Sequence, residues 1–444
     1  MHVLLIDTDR CGLDFAWRCV EAGHDVRWYN KDKEGNTFKD GDGFPGITKV
    51  NDWKSSMKWA KGGLIWLSSN AMFLQEMDEW KKHGYPIFAP SQAAADLEIK
   101  RAKGMRLLEK LGLLVPAYHT FNSLKEAENF ARKSDQAYVF KTMGDNEDKS
   151  LSYVAKTPAD LVGRIQRWIK LGLNPKGQVM LQEKIDGFEM GVSCWFGPNG
   201  PLPDKWNINF EHKKLMPGNY GPNTGEMGTV IQYCEAEKMA DELFTPDLVK
   251  HLISIGQLGD IDLNCIVEKG SGKIYPLEFT CRPGWPYDWI ASDLHKGDPV
   301  EWMRDLLDGH DTLRVSYDVA IGEVVAIPPF PRDDCDEAEC MDLPVQIPDR
   351  WNRIHPVCMQ IQEGPAVDGD KVVETDIFAT SGNYVLVATG IGPTVKAAKK
   401  SVDDLVKKVN VSNMMVRNDI GNGLEDCLPE LHKFGFATSM EYDV

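Results

Sequence analysis

Short apolar runs alternate with helical patterns along the first part of the chain. A run from Val3 to Ile6 precedes a helical stretch from Gly12 to Ala22. Three more apolar runs follow: Asp25–Tyr29, Gly63–Leu67 and Pro86–Phe88. Strands that alternate with helices at this spacing favour a parallel sheet. Residues 1–92 are therefore predicted to form a doubly wound parallel α/β domain.

The next part of the chain mixes helices and strands. Helical patterns run from Ser91 to Leu113, with Pro116 just beyond, and from Pro158 to Leu171. The strand-like segments are Ala137–Lys141, Leu151–Ala155, Val179–Glu183, Gly191–Phe196, Ile261–Val267 and Ile274–Phe279. We predict an α+β core over residues 93–315, with a small lobe at about 117–186.

The last part returns to strands and one long helix. The strands are predicted at Ala320–Ala326, His355–Gln362 and Tyr384–Gly390, and the helix at Thr394–Val409. Residues 316–444 are predicted to form a third, mixed α/β domain. Several domains suit a chain of 444 residues, because one apolar core rarely serves more than roughly 250–300.

Composition narrows the class of partner. The formal net charge is −17, which argues against a nucleic-acid partner, because phosphate binders are normally basic. No apolar run reaches the ~20 residues needed to cross a membrane, and the first residues lack the basic start of a signal peptide. The 10 cysteines are scattered, as in reduced cytoplasmic proteins. We expect a cytoplasmic monomer or homodimer that acts on small molecules.

Two segments have the chemistry of a nucleotide site. Lys141 ends an apolar strand and precedes the predicted flexible, charged loop Gly144–Ser150, an arrangement that can hold phosphates. Gln182 and Glu183 end the next strand and offer groups for an adenine edge, and Glu189 follows within reach of ribose hydroxyls. Each segment alone is more typical of a solvated surface.

Two further segments suit anions and metal ions. The loop Gly221–Gly228 is rich in backbone N–H groups, and His212-Lys213-Lys214 adds positive charge. Glu278, Thr280 and Arg282 lie on one face of a strand, and Asn264 lies on a neighbouring strand beside Asp262. Carboxylate, hydroxyl and amide oxygens suit Mg²⁺. A half-exposed polar strand is the alternative interpretation.

Together these segments resemble the phosphoribosylamine–glycine ligase family of the ATP-grasp superfamily. The segments that carry the resemblance, which runs over almost the whole chain, are Lys141–Gly144, Gln182–Glu189, Glu211–Lys214, Gly221–Gly228, Glu278–Arg282 and Arg417–Gly421. Gly221–Gly228 reproduces the family's G-P-N-T-G-G-M-G with one change, Glu226. The resemblance implies an ATP-grasp fold.

The resemblance also implies a reaction and its residues. ATP would phosphorylate a carboxylate, and an amine would displace phosphate from the acyl phosphate. Mg²⁺ or Mn²⁺ would be bound by Glu278, Thr280 and Asn264. ATP would be bound by Lys141, Lys149, Gln182, Glu183 and Glu189. Arg282 and Lys213 would be catalytic, and Asn223, Thr224 and Gly225 would bind a small amino acid such as glycine.

The amine-acceptor end departs most from the family pattern. The family's glycine-rich G-N-G-G-R-E-H reads Asp7-Thr8-Asp9-Arg10-Cys11-Gly12-Leu13, and its G-P-E-A-P-L reads Leu67-Ser68-Ser69-Asn70-Ala71-Met72. Asp7, Asp9, Ser69 and Asn70 are the predicted acceptor-binding residues. Aspartates at a phosphate loop would repel phosphoribosylamine, with only Arg10 to offset them. Thr280 replaces the family's metal-binding Asn.

Three hypotheses remain open. The first is an amide-forming ligase with an altered acceptor site. The second is the ordinary phosphoribosylamine–glycine ligase of purine synthesis. The third is a nucleotide-binding scaffold without ligase activity. Phosphate release from ATP with different amines distinguishes them.

Overall fold

The N-terminal part of the chain forms a parallel sheet. The computed structural model describes residues 1–143, 152–173, 177–332, 337–348, 352–368 and 370–443. The first elements are β1 (His2–Asp7), α1 (Leu13–Glu21), β2 (Asp25–Asn30), β3 (Ile47–Lys49), α2 (Lys54–Ala60), β4 (Leu64–Leu67), α3 (Leu74–Lys82) and β5 (Ile87–Phe88). The sheet order is β3-β2-β1-β4-β5, with all pairs parallel. The predicted doubly wound unit is confirmed. Because β1 and β4 are parallel neighbours, the loops that follow them lie at the same edge of the sheet.

The helical stretch that follows is two helices rather than the one predicted from Ser91 to Leu113. These helices are α4 (Gln92–Ile99) and α5 (Arg101–Lys110). Lys100 between them has φ −101° and ψ 70°, which is not helical. The break turns α5 and places Arg101 at its first position.

A small lobe with its own sheet and its own core follows. It contains β6 (Tyr118–Phe121), α6 (Leu124–Ala131), β7 (Tyr138–Met143), β8 (Tyr153–Val154), α7 (Pro158–Lys170) and β9 (Gln178–Glu183), in the sheet order β6-β9-β7-β8. Phe140, Ile165 and Trp168 are buried in an apolar cluster separate from the rest of the molecule. The strand predicted from Leu151 begins at Tyr153, and residue 151 lies outside the described residues.

The remaining elements build one large antiparallel sheet and its surroundings. They are β10 (Gly187–Gly197), β11 (Gly200–Pro201), β12 (Trp206–Glu211), β13 (Lys214–Met216), a 3₁₀ turn (Pro217–Asn219), β14 (Tyr220–Asn223), β15 (Gly228–Cys234), α8 (Lys238–Leu243), α9 (Pro246–Ser254), β16 (Gly259–Glu268), β17 (Ile274–Thr280), α10 (Tyr287–Ser292), β18 (His295–Lys296), α11 (Glu301–Leu307), β19 (Arg314–Val315), β20 (Val319–Ala326), α12 (Glu337–Cys340), β21 (Met341–Pro344), β22 (Ile354–Pro356), β23 (Met359–Asp368), β24 (Lys371–Ser381), β25 (Tyr384–Gly392), α13 (Val395–Val406), β26 (Met415–Val416) and α14 (Leu424–Phe434).

The large sheet has the order β17-β16-β10-β12-β15-β20-β25-β22, with β11 and β26 at its sides. It therefore joins strands of the predicted core to strands that follow residue 316. The single strand predicted at His355–Gln362 was wrong, because β22 belongs to this sheet and β23 pairs with β24 in another. Within the described residues, no helix combines the length and apolarity that a membrane span requires.

Candidate active site

Lys141 lies where the small lobe meets the large sheet. The pKa of its ammonium is lowered to about 7, mainly by burial and also by the cations of Arg101 and Lys213, while Glu278 and Glu189 oppose the shift. These electrostatic effects place side chains from β7, α5, β10, β17 and the β12–β13 connection around one ammonium. The structure thus brings together Lys141, Lys213, Glu189 and Glu278, all of which the sequence predicts as site residues.

The predicted metal ligands lie on paired strands. Asn264 of β16 is directly opposite Glu278 of β17, and Asp262 is opposite Thr280. Glu278 forms an ion pair of 2.5 Å with Arg101. The Oδ1 atom of Asn264 is buried and accepts no hydrogen bond from any described residue, while its Nδ2 donates to Glu211 at 2.8 Å. A buried amide oxygen beside a carboxylate fits a divalent cation.

Lys213 lies between two carboxylates. Its Nζ donates to Glu189 at 2.7 Å and lies 2.8 Å from Oε2 of Glu211. Burial alone would lower the pKa of Lys213, but Glu211 and Glu189 raise it well above the ordinary value. Lys213 therefore stays positively charged. The neighbouring His212 adds no charge, because burial lowers its pKa to about 4 and Gly421 N–H donates to its Nε2 at 3.3 Å.

The predicted amino-acid loop packs on Lys213. The hydroxyl and the backbone N–H of Thr224 both donate to the carbonyl of Lys213, at 2.9 and 2.8 Å. Asn223 pairs with Lys214 across the β13–β14 hairpin, and Gly225 is exposed. Arg417 anchors this hairpin by donating to the carbonyl of Lys214 at 3.0 Å. The loop is thus fixed beside the acid–base cluster, which is formed by Lys213, Glu189 and Glu211.

The predicted adenosine residues lie at the exit of the small lobe. Gln182 is buried in β9, and the backbone N–H of exposed Glu183 donates to the carbonyl of Ala117 at 2.7 Å. The two chain passages between the lobe and the body therefore lie side by side. Lys149, the other predicted phosphate ligand, lies outside the described residues.

Arg282 is tied to the N-terminal part of the chain through Glu98. Its Nε donates to Oε1 of Glu98 at 3.2 Å. The Oε2 atom of Glu98 accepts from the Asn70 side chain at 2.7 Å and from the Cys281 N–H at 2.8 Å. Glu98 thus holds Asn70 and Arg282, a predicted acceptor residue and a predicted catalytic residue, within one hydrogen-bonded group.

The Asp7 carboxylate is fully buried and accepts hydrogen bonds from the loop that follows β1. Its Oδ1 accepts from the Ser68 hydroxyl at 2.6 Å and from the N–H groups of Asp9 and Cys11 at 3.1 and 3.2 Å. Its Oδ2 accepts from the N–H of Gly12, the N-cap residue of α1, at 2.8 Å. Burial raises the pKa of Asp7. The carboxylate thus accepts from the backbone N–H groups at the start of α1. Without it, these N–H groups would suit a bound anion.

Arg10 is not available to balance an acceptor phosphate. It donates to both carboxylate oxygens of Asp40, at 2.8 and 2.6 Å, and to the carbonyl of Ser381 at 2.6 Å. Asp9 is exposed, and the hydroxyl of Ser69 accepts from the N–H of Ala71 at 3.1 Å. The expectation that Arg10 offsets the aspartates was wrong, because Asp40 already neutralises it.

Known proteins are similar to this chain in sequence. The model of the phosphoribosylglycinamide synthetase ATP-grasp (A) domain matches residues 102–255. The phosphoribosylamine–glycine ligase of Vibrio cholerae is 26% identical over 358 residues, which are 78% of this chain and 79% of that protein. The chain is therefore similar to phosphoribosylamine–glycine ligases over most of its length.

Solved structures agree on the fold. The phosphoribosylamine–glycine ligase of Thermotoga maritima matches with a TM-score of 0.68 at 20% identity, over 95% of this chain and 100% of that chain. The L-amino acid ligase of Bacillus licheniformis matches with a TM-score of 0.54 at 13% identity, over 92% and 98%. At such identities the comparison supports the ATP-grasp fold alone.

Sequence reasoning missed the site role of Arg101. In the sequence it lies in a continuous helical pattern and is typical of a solvated helix face. The break at Lys100, which a helical pattern does not reveal, turns Arg101 towards Glu278. The ion pair of 2.5 Å places it beside Glu278, one of the predicted metal ligands.

Proposed function

We propose that this protein is an ADP-forming carboxylate–amine ligase that works through an acyl phosphate and uses an amine acceptor other than phosphoribosylamine. The observation that carries the acceptor proposal is the Asp7 carboxylate, which accepts from three loop N–H groups and from Ser68. An anion already supplied by the chain leaves those donors no capacity for a ligand phosphate.

The ATP end supports the ligase reaction. A carboxylate oxygen of a small amino acid attacks the γ-phosphorus of ATP, and ADP leaves. Lys141, Arg101 and Lys213 bring cationic side chains to this region. Arg101 and Lys213 are paired there with carboxylates, and all three cations can stabilise the charge on a transferring phosphoryl group. Glu278 and Asn264 would hold Mg²⁺ or Mn²⁺, with Thr280 beside them, and the cation would neutralise phosphate charge.

The second step takes place at the acceptor end. The amine nitrogen attacks the acyl carbon, inorganic phosphate leaves, and the nitrogen loses its extra proton. Asp9 is exposed there, and the two arginines of this end are paired, Arg10 with Asp40 and Arg282 with Glu98. The remaining charge suits a cationic or neutral amine better than a phosphorylated one.

Two alternatives have specific support. Relatives such as the Vibrio cholerae protein are named phosphoribosylamine–glycine ligases and match 78% of the chain, which favours the ordinary purine enzyme. A nucleotide-binding scaffold without ligase activity is the other alternative. Thr280, a weaker metal ligand than the family's Asn, favours the scaffold.

The test is phosphate release from ATP and Mg²⁺ with glycine, with and without phosphoribosylamine, followed by a panel of other amines. We expect release with an amine that carries no phosphate. Release that requires phosphoribosylamine would establish the purine enzyme and refute the altered acceptor site. ATP binding without release under any condition would favour the scaffold.

A further inference from the structure

Glu226 is the one change in the loop Gly221–Gly228, and the structure buries it. Its relative exposure is 6%, although the residue it replaces in the family pattern is a glycine with no side chain. One carboxylate oxygen, Oε1, accepts from the hydroxyl of Thr229. Burial raises the pKa of Glu226 well above its ordinary value, and the neighbouring Glu211 raises it further. A buried acid at this place is costly unless a partner compensates it.

Tyr384 lies near Glu226 at the same end of the large sheet. Strands β15 and β25 flank β20: the Val324 N–H donates to the Met227 carbonyl at 3.0 Å, and Tyr384 pairs with Ala326. The Tyr384 hydroxyl is buried and has no hydrogen-bond partner within the described part of the chain. Its pKa is raised by burial, then by Cys11 and Glu226, so the hydroxyl lies within electrostatic range of both residues.

Trp289 connects this pair to the acceptor loop. Its indole N–H donates to the carbonyl of Cys11 at 3.3 Å, and its ring contacts the ring of Tyr384 edge-on at 5.8 Å. Cys11 belongs to the loop that Asp7 holds. Tyr384 therefore lies near the acceptor loop, and Glu226 belongs to the loop that packs on Lys213.

We propose that Glu226 and Tyr384 form a specificity subsite that binds a positively charged group of the amine acceptor. This inference rests on the proposed ligase function and names the class of its acceptor. An ammonium group at this subsite pairs with the Glu226 carboxylate and supplies a partner for the Tyr384 hydroxyl. In a diamine, one nitrogen stays protonated in the subsite while the other attacks as the free base.

The experiment compares two nucleophiles in the presence of MgATP and an amino acid, with glycine first. Hydroxylamine is small and mainly uncharged at neutral pH, and it traps an acyl phosphate as a hydroxamate. The probe cation is 1,3-diaminopropane. The readout is the ratio of kcat/KM for the diamine to kcat/KM for hydroxylamine in Glu226→Gln, Glu226→Gly and Tyr384→Phe, with exposed Glu235→Gln as the matched control.

We expect the ratio to fall at least tenfold in both Glu226 variants, mainly through KM for the diamine, and severalfold in Tyr384→Phe. Glu235→Gln keeps the ratio of the wild type. An unchanged ratio in the Glu226 variants, or a wild type that forms hydroxamate but never uses the diamine, overturns the subsite and leaves the ligase function standing. A wild type that forms no hydroxamate with any amino acid contradicts the ligase function itself. The Glu226→Gly variant restores the family glycine. It gives a second measurement at this position if the glutamine variant does not fold.

Discussion

The Ser68 hydroxyl donates a hydrogen bond of 2.6 Å to Oδ1 of Asp7 and so joins the loops that follow β1 and β4. These two loops correspond to the two halves of the acceptor site in the family pattern. Both halves have changed in this chain, and the changes are complementary, because a carboxylate at one loop meets a hydroxyl at the other. In the proposed acceptor site, the two loops are thus joined by an internal hydrogen bond in place of the family's residues.

Asp7 is expected to be important for stability. The Asp7→Asn substitution places an amide N–H₂ where a carboxylate oxygen accepted, so a buried donor faces another donor, and we expect a loss of about 2–3 kcal/mol. The matched control is Asp9→Asn, which should change stability by less than about 0.5 kcal/mol because Asp9 is exposed. Urea unfolding measures both. Equal effects of the two variants would refute a structural role for Asp7.

Glycines at Asp7 and Asp9 should recover part of an anion site. The double variant frees the N–H groups of Cys11 and Gly12 and removes two acids, so ribose 5-phosphate should bind at least about tenfold more tightly than to the wild type. Isothermal titration measures this affinity. Unchanged binding in a folded double variant would mean that the pocket has a different shape and does not exclude phosphate by charge.

Glu278 is expected to be essential for ATP turnover. Glu278→Ala removes the proposed metal ligand and the partner of Arg101, and we expect turnover to fall about a hundredfold or more. Glu268→Ala, on the neighbouring strand β16, is the control for the loss of an acid. ADP release and the thermal midpoint are measured together. Wild-type turnover in Glu278→Ala would remove the metal assignment.

Lys141 should make ATP binding depend on pH. Its pKa of about 7 means that the ammonium loses its proton as the pH rises through neutrality, whereas bound phosphates favour the protonated form. The Kd for MgATP should therefore increase above pH 7, by up to about tenfold per pH unit, with proton uptake on binding. Lys141→Met should bind weakly at every pH, and exposed Lys156→Met should behave as the wild type. A pH-independent wild type would contradict the prediction.

His355 should make stability fall in mild alkali. Its ring lies 3.2 Å from Asp14 and 3.1 Å from Asp293. Burial lowers its pKa, but these carboxylates raise it overall from 6.5 to about 9. Because its pKa is raised in the folded state, protonated His355 stabilises that state. The contribution is at most roughly 3 kcal/mol. It is fully present below pH 6.5 and is lost as the pH rises towards 9.

The thermal midpoint between pH 6 and 9.5 measures this contribution. We expect a decline in the wild type and a flatter, lower profile in His355→Gln. Surface His83→Gln is the control and should keep the decline. Parallel profiles for the wild type and His355→Gln would show that another group titrates.

The strands that contain Lys141 and Glu278 were predictable because they depend on local signals in the sequence. An apolar run that ends at Lys141, or an alternation that puts Glu278 and Thr280 on one face, depends only on residues near in sequence. Strand β12 was missed, because its polar residues Asn207 and Asn209 are buried within the sheet. Burial of asparagines depends on neighbours that are distant in the chain.

The partners of the charged residues were not predictable for the same reason. Arg10 reads as a cation near the acceptor loop, but its partner Asp40 is thirty positions further along the chain. The contacts of Glu98 with Asn70 and Arg282 likewise join different parts of the fold. Sequence patterns located the acids and bases, but only the fold determines which of them neutralise one another.

The separate apolar core of the small lobe has a consequence for how the molecule opens. The lobe has its own sheet and buried cluster and meets the body at two neighbouring chain passages, so it can lose its structure while the large sheet stays intact. Its amides should then exchange with solvent deuterium as one cooperative unit and faster than those of β10 or β16. A nucleotide held between Lys141 and Glu278 would cross-link the lobe to the body, so slower exchange throughout the lobe would report occupancy from residues far from the ligand.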